Sequence, residues 1–157
     1  MGASIVIAVE DPRAEDVRAL LETHLRFSHD VTPPGFVFAL DIDGLVDPSV
    51  TFLTARRDGE LLGMGALKKL DDEHGEIKSM HTAMAARGTG VGKMILQRLL
   101  ELAASRKWKR VSLETGTTRF YEPARKLYEA AGFTACGAYG DYRENAHSYF
   151  MTRRIDD

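Results

Sequence analysis

Hydrophobic and polar positions in the first third of the chain predict one strand followed by helical segments. Residues 4–9 are mainly apolar and β-branched, which is the composition of a strand. From residue 11 to about residue 27, apolar side chains recur three and four positions apart, so we expect a helix with Pro12 in its first turn. The two prolines within residues 28–35 predict a loop, and residues 36–45 are predicted to form a short second helix.

The middle of the chain has the pattern of consecutive strands. Residues 50–57 and 60–70 are two strand-like runs joined by Asp58-Gly59, a dipeptide typical of hairpin turns. A polar turn then leads into a third run over residues 75–83. Three such runs with short connections predict an antiparallel meander.

The second half of the chain alternates helices with strands. A helix is predicted over residues 88–106 because Val91, Ile95, Leu99 and Leu102 form one apolar stripe. The remaining pattern predicts a strand at 110–114, a helix at about 121–131 ended by Gly132, and strands at 133–137 and 148–153 around a loop. The whole order predicts a single α/β domain over residues 1–157.

Composition narrows the classes of protein to consider. With 157 residues, 44% of them hydrophobic and 28% charged, the chain has the size and balance of one globular domain. A net charge of −2 argues against binding to nucleic acid. No apolar run approaches the ~20 residues of a membrane span, so a membrane is not expected as a partner either. The single cysteine, Cys136, has no internal partner and favours a reducing, cytoplasmic setting, and the histidines lack metal-ligand spacing.

A glycine-rich turn precedes the helix predicted at residues 88–106. Gly88, Gly90 and Gly92 lack β-carbons, so successive backbone N–H groups can converge on an anion at the positive end of the helix dipole. A diphosphate is the expected ligand of this turn, and the alternative is a tight turn that binds no ligand. A P-loop would need Gly at position 87 and Ser or Thr at 94, where this chain has Arg87 and Met94, and the glycine spacing also excludes a dinucleotide fingerprint.

The turn carries a signature that identifies a family resemblance. Arg87-Gly-Thr-Gly90-Val-Gly92 resembles the (Gln/Arg)-x-x-Gly-x-(Gly/Ala) motif of the GNAT superfamily of acetyl-CoA-dependent N-acetyltransferases. The run from Glu76 to Thr82 is similar to the central strand of that family, and residues 124–133 match its A-x-x-L-Y-x-x-x-G-F segment. The resemblance is strongest over residues 75–135 and weak before residue 50, and the end of the chain is similar to a bacterial subgroup of acetyltransferases.

The resemblance implies a fold, an activity and partners. The fold would be a single α/β domain whose central, mostly antiparallel mixed sheet of about six to seven strands is flanked by helices, with a splayed strand pair at the cofactor site. The activity would transfer an acetyl group from acetyl-CoA, a co-substrate that needs no metal, to an amine by direct attack in a ternary complex. The acceptor would be a small-molecule amine or a protein amine, and a homodimer is expected.

The resemblance also implies which residues bind acetyl-CoA. The pantetheine arm would pair with the strand backbone, and the diphosphate would lie on the glycine-rich turn. Tyr121 stands where the family often has an asparagine, and it would either cover the pantetheine arm or serve only as an aromatic residue at the helix start. The expected cofactor-binding residues are Met80, His81, Thr82, Arg87, Gly88, Thr89, Gly90, Val91, Gly92, Lys93 and Tyr121.

Two catalytic residues are expected from the same resemblance. The attacking amine must be neutral, so a base is needed, and Glu76 matches a position that often carries a carboxylate. Glu76 could instead be only a strand-start charge, and His81 is the competing base. Regular strand alternation puts these two side chains on opposite faces unless a bulge intervenes. Tyr128 matches a tyrosine that protonates the departing thiolate; its alternative is a core aromatic residue.

A non-catalytic acyl-CoA-binding or regulatory module on the same fold is the alternative function. The glycine-rich turn would serve both an enzyme and such a module. A module that only binds acyl-CoA has no need for a proton donor at Tyr128, so the presence of this residue favours the enzyme.

Overall fold

A computed structural model of the chain describes residues 4–156, and the ends of the predicted domain 1–157 lie outside the described residues. The predicted order of strands and helices is confirmed, and two 3₁₀ turns are present in addition. In chain order the elements are β1 (Val6–Val9), α1 (Glu15–Val31), α2 (Ile42–Leu45), β2 (Val50–Arg57), β3 (Glu60–Lys69), β4 (His74–Thr82), a 3₁₀ turn (Met84–Ala86), α3 (Val91–Ser105), β5 (Arg110–Gly116), a second 3₁₀ turn (Arg119–Tyr121), α4 (Glu122–Ala130), β6 (Thr134–Cys136) and β7 (Ser148–Arg154).

The strands form one seven-stranded mixed sheet in the order β1-β2-β3-β4-β5-β7-β6. The predicted meander is present as β2, β3 and β4, in which β3 pairs antiparallel with both β2 and β4. Strands β4 and β5 pair parallel, whereas β7 is antiparallel to both β5 and β6. The crossover from β4 to β5 through α3 is what allows these two strands to run in the same direction.

Each face of the sheet is covered by helices and has its own hydrophobic core. On one face, here called the α3 face, buried side chains of α3 such as Ile95 and Leu99 pack with Leu67, Leu113 and Met151 of the strands. On the other, the α1 face, the core consists of Val17, Leu21, Leu45, Phe52, Met64 and Ala66. The same strands therefore contribute alternate residues to two separate cores, as the period of two in a strand requires.

Helix boundaries differ from the predictions at three places. Helix α1 begins at Glu15 and ends at Val31, just before Pro33, because Asp11 instead forms a turn in which its carboxylate accepts the N–H of Arg13 at 2.9 Å. The helix predicted over residues 36–45 is wrong for its first half; only Ile42–Leu45 is helical, capped by Asp41. Helix α3 begins at Val91 because the glycines before it have left-handed backbone. No helix among the described residues has the length and apolar character needed to span a bilayer.

Strands β4 and β5 separate halfway along their length. Their last paired residues are Ile77 and Leu113, although β4 continues to Thr82 and β5 to Gly116. Beyond that pair, β4 keeps β3 as its neighbour on one side and faces a gap on the other. The splayed strand pair is therefore confirmed.

A bulge in β4 lies at this splay. Ser79 has φ of 56°, and the register with β3 shifts between Met64 and Ala66. As a result Lys78 lies opposite Ala66 and His81 lies opposite Met64, so both side chains are on the α1 face. Glu76, two residues before Lys78 on a regular stretch, shares that face. Because of this bulge, the side chains of Glu76 and His81 lie on the same side of the sheet.

Candidate active site

A cavity of about 530 Å³ opens at the splay and is lined from both faces of the sheet. Its volume is within the usual range for small-molecule sites. Its walls come from the C-terminal half of α1, the irregular segment 36–39, the ends of β4 and β5, the glycine-rich turn and the N-terminal part of α4. All the residues predicted from the resemblance line this cavity except Glu76 and Thr89.

The glycine-rich turn forms an open cradle at the mouth of the cavity. Gly88 and Gly90 have φ of 78° and 87°, a backbone conformation that L side chains rarely adopt, and a β-carbon added at either would meet no atom within 4 Å. Gly90 is the N-cap of α3, so the N–H groups of the first turn point into this space without intrahelical partners. The cationic side chains of Arg87 and Lys93 flank it. These features suit an anion.

Thr89 contributes to the turn rather than to the cavity wall. Its hydroxyl donates a hydrogen bond to the carbonyl oxygen of Ala86, three residues earlier. This bond fixes the turn between the 3₁₀ segment and α3. A contact of Thr89 with the cofactor stays a prediction.

Tyr121 closes the cavity at the end of β5. Its ring lies flat against Gly116, where an added β-carbon would come within 2.0 Å of the ring, so a residue with a side chain does not fit there. Its hydroxyl and the Thr32 hydroxyl are 3.1 Å apart, and its ring packs edge-to-face on Phe27 of α1 at 5.4 Å. Tyr121 therefore links β5 to α1 while presenting part of its surface to the cavity.

Tyr128 lies on the α3 face, where α4 packs on the sheet. Its ring is 6% exposed and packs edge-to-face on Phe133 at 6.0 Å. No described residue hydrogen-bonds its hydroxyl, and the residue lines the cavity. Burial, and then the charge of Glu114, raise the pKa of Tyr128 above its usual value, so the hydroxyl keeps its proton.

Glu76 is buried beside the cavity without lining it. Its carboxylate accepts hydrogen bonds from the Tyr139 hydroxyl at 2.7 Å and the Tyr142 hydroxyl at 2.5 Å, and the Lys78 ammonium lies 3.6 Å away. Lys78 also donates to the Phe38 carbonyl oxygen at 3.0 Å. The two tyrosine hydroxyls and the Lys78 ammonium all approach one carboxylate oxygen, Oε2, and they separate it from the cavity, so a base role for Glu76 would have to act through one of these neighbours. That role stays a prediction.

Two histidines meet across the cavity on the α1 face. The Nδ1 atoms of His24 and His81 are 3.1 Å apart, so the N–H of one ring donates a hydrogen bond to the unprotonated nitrogen of the other. Burial lowers the pKa of both side chains to about 4, so both are neutral near pH 7. His24 belongs to the predicted first helix, and no spacing in the sequence indicated this pairing.

Glu114 is the cavity residue that the sequence motifs did not reveal. It is the first residue of β5 beyond the splay, and it lies opposite Phe150 on the α1 face. Of the described residues that line the cavity, it alone carries a carboxylate. Burial raises its pKa to about 7, against the opposing effects of the Ser148 hydroxyl and then of the Lys78 charge. The sequence feature that could have indicated Glu114 as a site residue is its position as a lone acidic residue at the C-terminal end of an apolar strand.

The raised pKa of Glu114 predicts a pH-dependent gain in stability for Glu114→Gln. Above about pH 4.5 the carboxyl of the unfolded chain ionises, whereas native Glu114 keeps its proton until about pH 7, so the stability from the protonated form falls over this range and is lost as the pH rises through about 7. At pH 8 the free energy of unfolding of the variant should exceed that of the wild type by roughly 2 kcal/mol, which corresponds to roughly 4–8 °C in Tm. Near pH 4.5 the difference should vanish.

Thermal unfolding of both proteins from pH 4.5 to 8 checks this prediction. The difference between the two proteins is the informative quantity, because the lowered pKa values of His24 and His81 remove stability from both as the pH falls below about 6.5. A difference that is constant with pH would contradict a raised pKa at Glu114.

Comparisons with known proteins agree with the fold. The sequence model described as "Acetyltransferase (GNAT) family" matches residues 15–133. YsnE of Bacillus subtilis, an uncharacterised N-acetyltransferase, is 43% identical over 149 residues, which are 95% of this chain and 99% of that protein.

Solved structures share the architecture at lower identity. A candidate acyl-CoA N-acyltransferase of Klebsiella pneumoniae superposes with a TM-score of 0.79 at 24% identity, over 97% of this chain and 98% of the other. A GNAT family acetyltransferase of Elizabethkingia anophelis with acetyl-CoA bound has a TM-score of 0.72 at 19% identity, over 96% and 98% of the two chains.

Proposed function

This chain belongs to the GNAT family of acetyltransferases, and from that premise we propose how its cavity holds acetyl-CoA and the acceptor. The chain is an enzyme that transfers an acetyl group from acetyl-CoA to an amine. The alternative of a non-catalytic acyl-CoA-binding module finds no support. The observation that carries the proposed arrangement is the cavity itself, which joins an anion cradle at its mouth to a gap between two strands.

The diphosphate of acetyl-CoA lies on the glycine-rich turn, and the pantetheine arm lies in the gap between β4 and β5. Open space above Gly88 and Gly90 supports the first placement, together with the unpartnered N–H groups of the α3 N-terminus. Support for the second comes from the edge that β4 presents beyond Ile77. The hydroxyl of Ser79, which lines this gap, is buried without a partner among the described residues and offers the arm a polar contact.

Tyr128 is the group that protonates the leaving thiolate. It reaches the gap from the α3 face, whereas the acceptor half of the cavity is on the α1 face. A thioester held in the gap would have Tyr128 on one side and the incoming amine on the other. Positioning of the two reactants would supply much of the rate acceleration.

The acceptor is a small-molecule amine that carries an apolar or aromatic group. The acceptor half of the cavity is enclosed by α1 and segment 36–39, which place Phe27, Phe36 and Phe38 along its wall. Phe36 and Phe38 are held by ring contacts with His147 at 4.6 Å and Tyr142 at 5.3 Å. A polyamine would need several carboxylates along its length, and this half of the cavity has one, Glu114.

An amine panel tests this function. Acetyl-CoA is mixed with 2-phenylethylamine, spermidine or a lysine-containing peptide, and both the free CoA and the N-acetyl product are measured. We expect equal amounts of the two products and the highest kcat/KM for 2-phenylethylamine. Preference for spermidine or the peptide would contradict the proposed acceptor class, and the absence of N-acetyl product with every amine would contradict the proposed function.

We also propose a cytoplasmic enzyme that forms a homodimer. The single cysteine supports the compartment. The dimer is supported by the edge strand β1, where the side chains of Val6 and Val9 are 61% and 67% exposed. Analytical ultracentrifugation of the wild type and of Val6→Lys tests the dimer: we expect a dimer that becomes a monomer in the variant, and a monomeric wild type would contradict it.

A further inference from the structure

We propose that Glu114 accepts the proton of the attacking amine. This inference rests on the proposed function, since it assigns a role within the same cavity. Glu114 is not part of any motif that the resemblance provides. Its assignment comes from its place at the splay, its neighbours and its access to the acceptor.

Glu114 occupies the point where a base has to be. It follows Leu113, the last residue of β5 that pairs with β4, and it therefore borders the gap at its inner end. Its cross-strand partner Phe150 packs on Tyr142 at 5.4 Å, which places both on the α1 face. Tyr128 approaches the same gap from the α3 face. An acid and a base would thus flank the thioester from opposite faces of the sheet.

The groups that face Glu114 leave its carboxylate ready to take a proton. From β4 these are the Lys78 cation and the Glu76 carboxylate, of which Lys78 already has three partners. Strand β7 contributes the Ser148 hydroxyl, which favours the charged carboxylate, and helix α4 contributes Tyr128. The loop after β6 contributes Tyr139, Tyr142 and His147, and the neutral pair His24 and His81 lies across the cavity. Burial sets the pKa of Glu114 at about 7, the value at which a general base is most effective at neutral pH.

The other two candidate bases are less suited. Glu76 is 3% exposed, does not line the cavity and is already bonded to two tyrosine hydroxyls. His81 lines the cavity, but its pKa of about 4 makes it a weak base, and one of its nitrogens is occupied by His24. Glu114 combines access to the cavity with a suitable pKa.

The reaction balances with Glu114 as the proton acceptor. The lone pair of the neutral amine attacks the thioester carbon, a C–N bond forms, and the nitrogen gives its proton to the Glu114 carboxylate. The C–S bond breaks, and the sulfur keeps the electron pair and takes the proton of the Tyr128 hydroxyl. A proton then passes from Glu114 to the Tyr128 oxygen through solvent, which restores both residues. One amine and one acetyl-CoA thus give one amide and one free thiol.

Kinetics of Glu114→Gln and Glu76→Gln as functions of pH test the assignment. The acceptor is the amine of the panel with the highest kcat/KM, and kcat/KM is expressed per neutral amine so that the titration of the acceptor is removed. The wild type should show a limb that rises through about pH 7. Glu114→Gln should lose this limb and roughly 10²–10⁴-fold in kcat/KM at pH 8. Glu76→Gln should keep the limb.

Each other outcome counts against the inference. A limb that disappears in Glu76→Gln and persists in Glu114→Gln would move the base role to Glu76. A Glu114→Gln protein within threefold of the wild type at pH 8 would overturn the inference and leave the proposed function standing, whereas a wild type without N-acetyl product would overturn both.

One measurement needs no variant. The limb of the wild type should stay near pH 7 for two acceptors of different amine pKa, and a limb that differs between them would exclude Glu114 as its source. Binding of acetyl-CoA to Glu114→Gln, measured by calorimetry, should equal that of the wild type, since the carboxylate acts on the amine.

Discussion

Replacing Gly90 with valine should abolish binding of acetyl-CoA at concentrations that saturate the wild type. The backbone at Gly90 has φ of 87°, which a β-branched residue adopts only with strain, and the added side chain would fill the open space above the turn. A diphosphate would lose several charge-assisted hydrogen bonds to N–H groups, each worth about 1.5–3 kcal/mol. We expect the Kd for acetyl-CoA to rise about 100-fold or more in titration calorimetry.

A matched variant separates this effect from backbone strain. Gly59, in the turn between β2 and β3, has φ of 80° and equally open surroundings, and it does not line the cavity. Gly59→Val should show a similar loss of thermal stability and unchanged acetyl-CoA affinity. Acetyl-CoA at 100 times Kd should stabilise Gly59→Val by about 2.7 kcal/mol, as it does the wild type. Normal acetyl-CoA binding by Gly90→Val would show that the diphosphate lies elsewhere.

Replacing Tyr128 with phenylalanine should lower kcat by roughly 100-fold while acetyl-CoA affinity is retained. The substitution keeps the ring and its packing on Phe133 and removes the hydroxyl that lines the cavity. General acid catalysis is commonly worth 10²–10⁴-fold. We expect the lower end, because the raised pKa of Tyr128 makes it a weak acid and a thiolate is already a good leaving group.

Tyr149→Phe is the control for this variant. Tyr149 also packs against the α3-face core, with the Arg125 guanidinium 5.8 Å from its ring, but it does not line the cavity. Steady-state kinetics should show wild-type kcat for Tyr149→Phe and a reduced kcat at unchanged acetyl-CoA Kd for Tyr128→Phe. Unchanged turnover of Tyr128→Phe would return Tyr128 to the role of a core aromatic residue.

The sequence predicts the parts of this fold that depend on local spacing. The apolar stripe of α3, the Asp58-Gly59 hairpin and the glycine-rich turn each have a local cause, and each is present in the structure. The prediction of a helix is wrong for residues 36–41, because the apolar residues 36–39 line the cavity, a role that gives no local pattern.

The arrangement of the polar side chains on the α1 face depends on tertiary structure, which no local sequence pattern indicates. Ser79 adopts a positive φ without being a glycine, so nothing in the sequence indicated the bulge that brings His81 to His24. Likewise, the position of Glu76 was found from the motif, but its two tyrosine partners come from a loop more than sixty residues away. Glu114 could be recognised as a site residue only from the structure, which shows that β4 and β5 separate directly beside it.

A crystal structure of the wild type with acetyl-CoA would show where the cofactor binds and where its thioester lies. We expect the diphosphate on the N–H groups of residues 88–93 and the pantetheine arm in the gap between β4 and β5. The thioester should lie between Tyr128 and Glu114, with its sulfur within hydrogen-bond distance of the Tyr128 hydroxyl. A diphosphate bound away from the glycine-rich turn, or a thioester placed outside the gap, would contradict this arrangement.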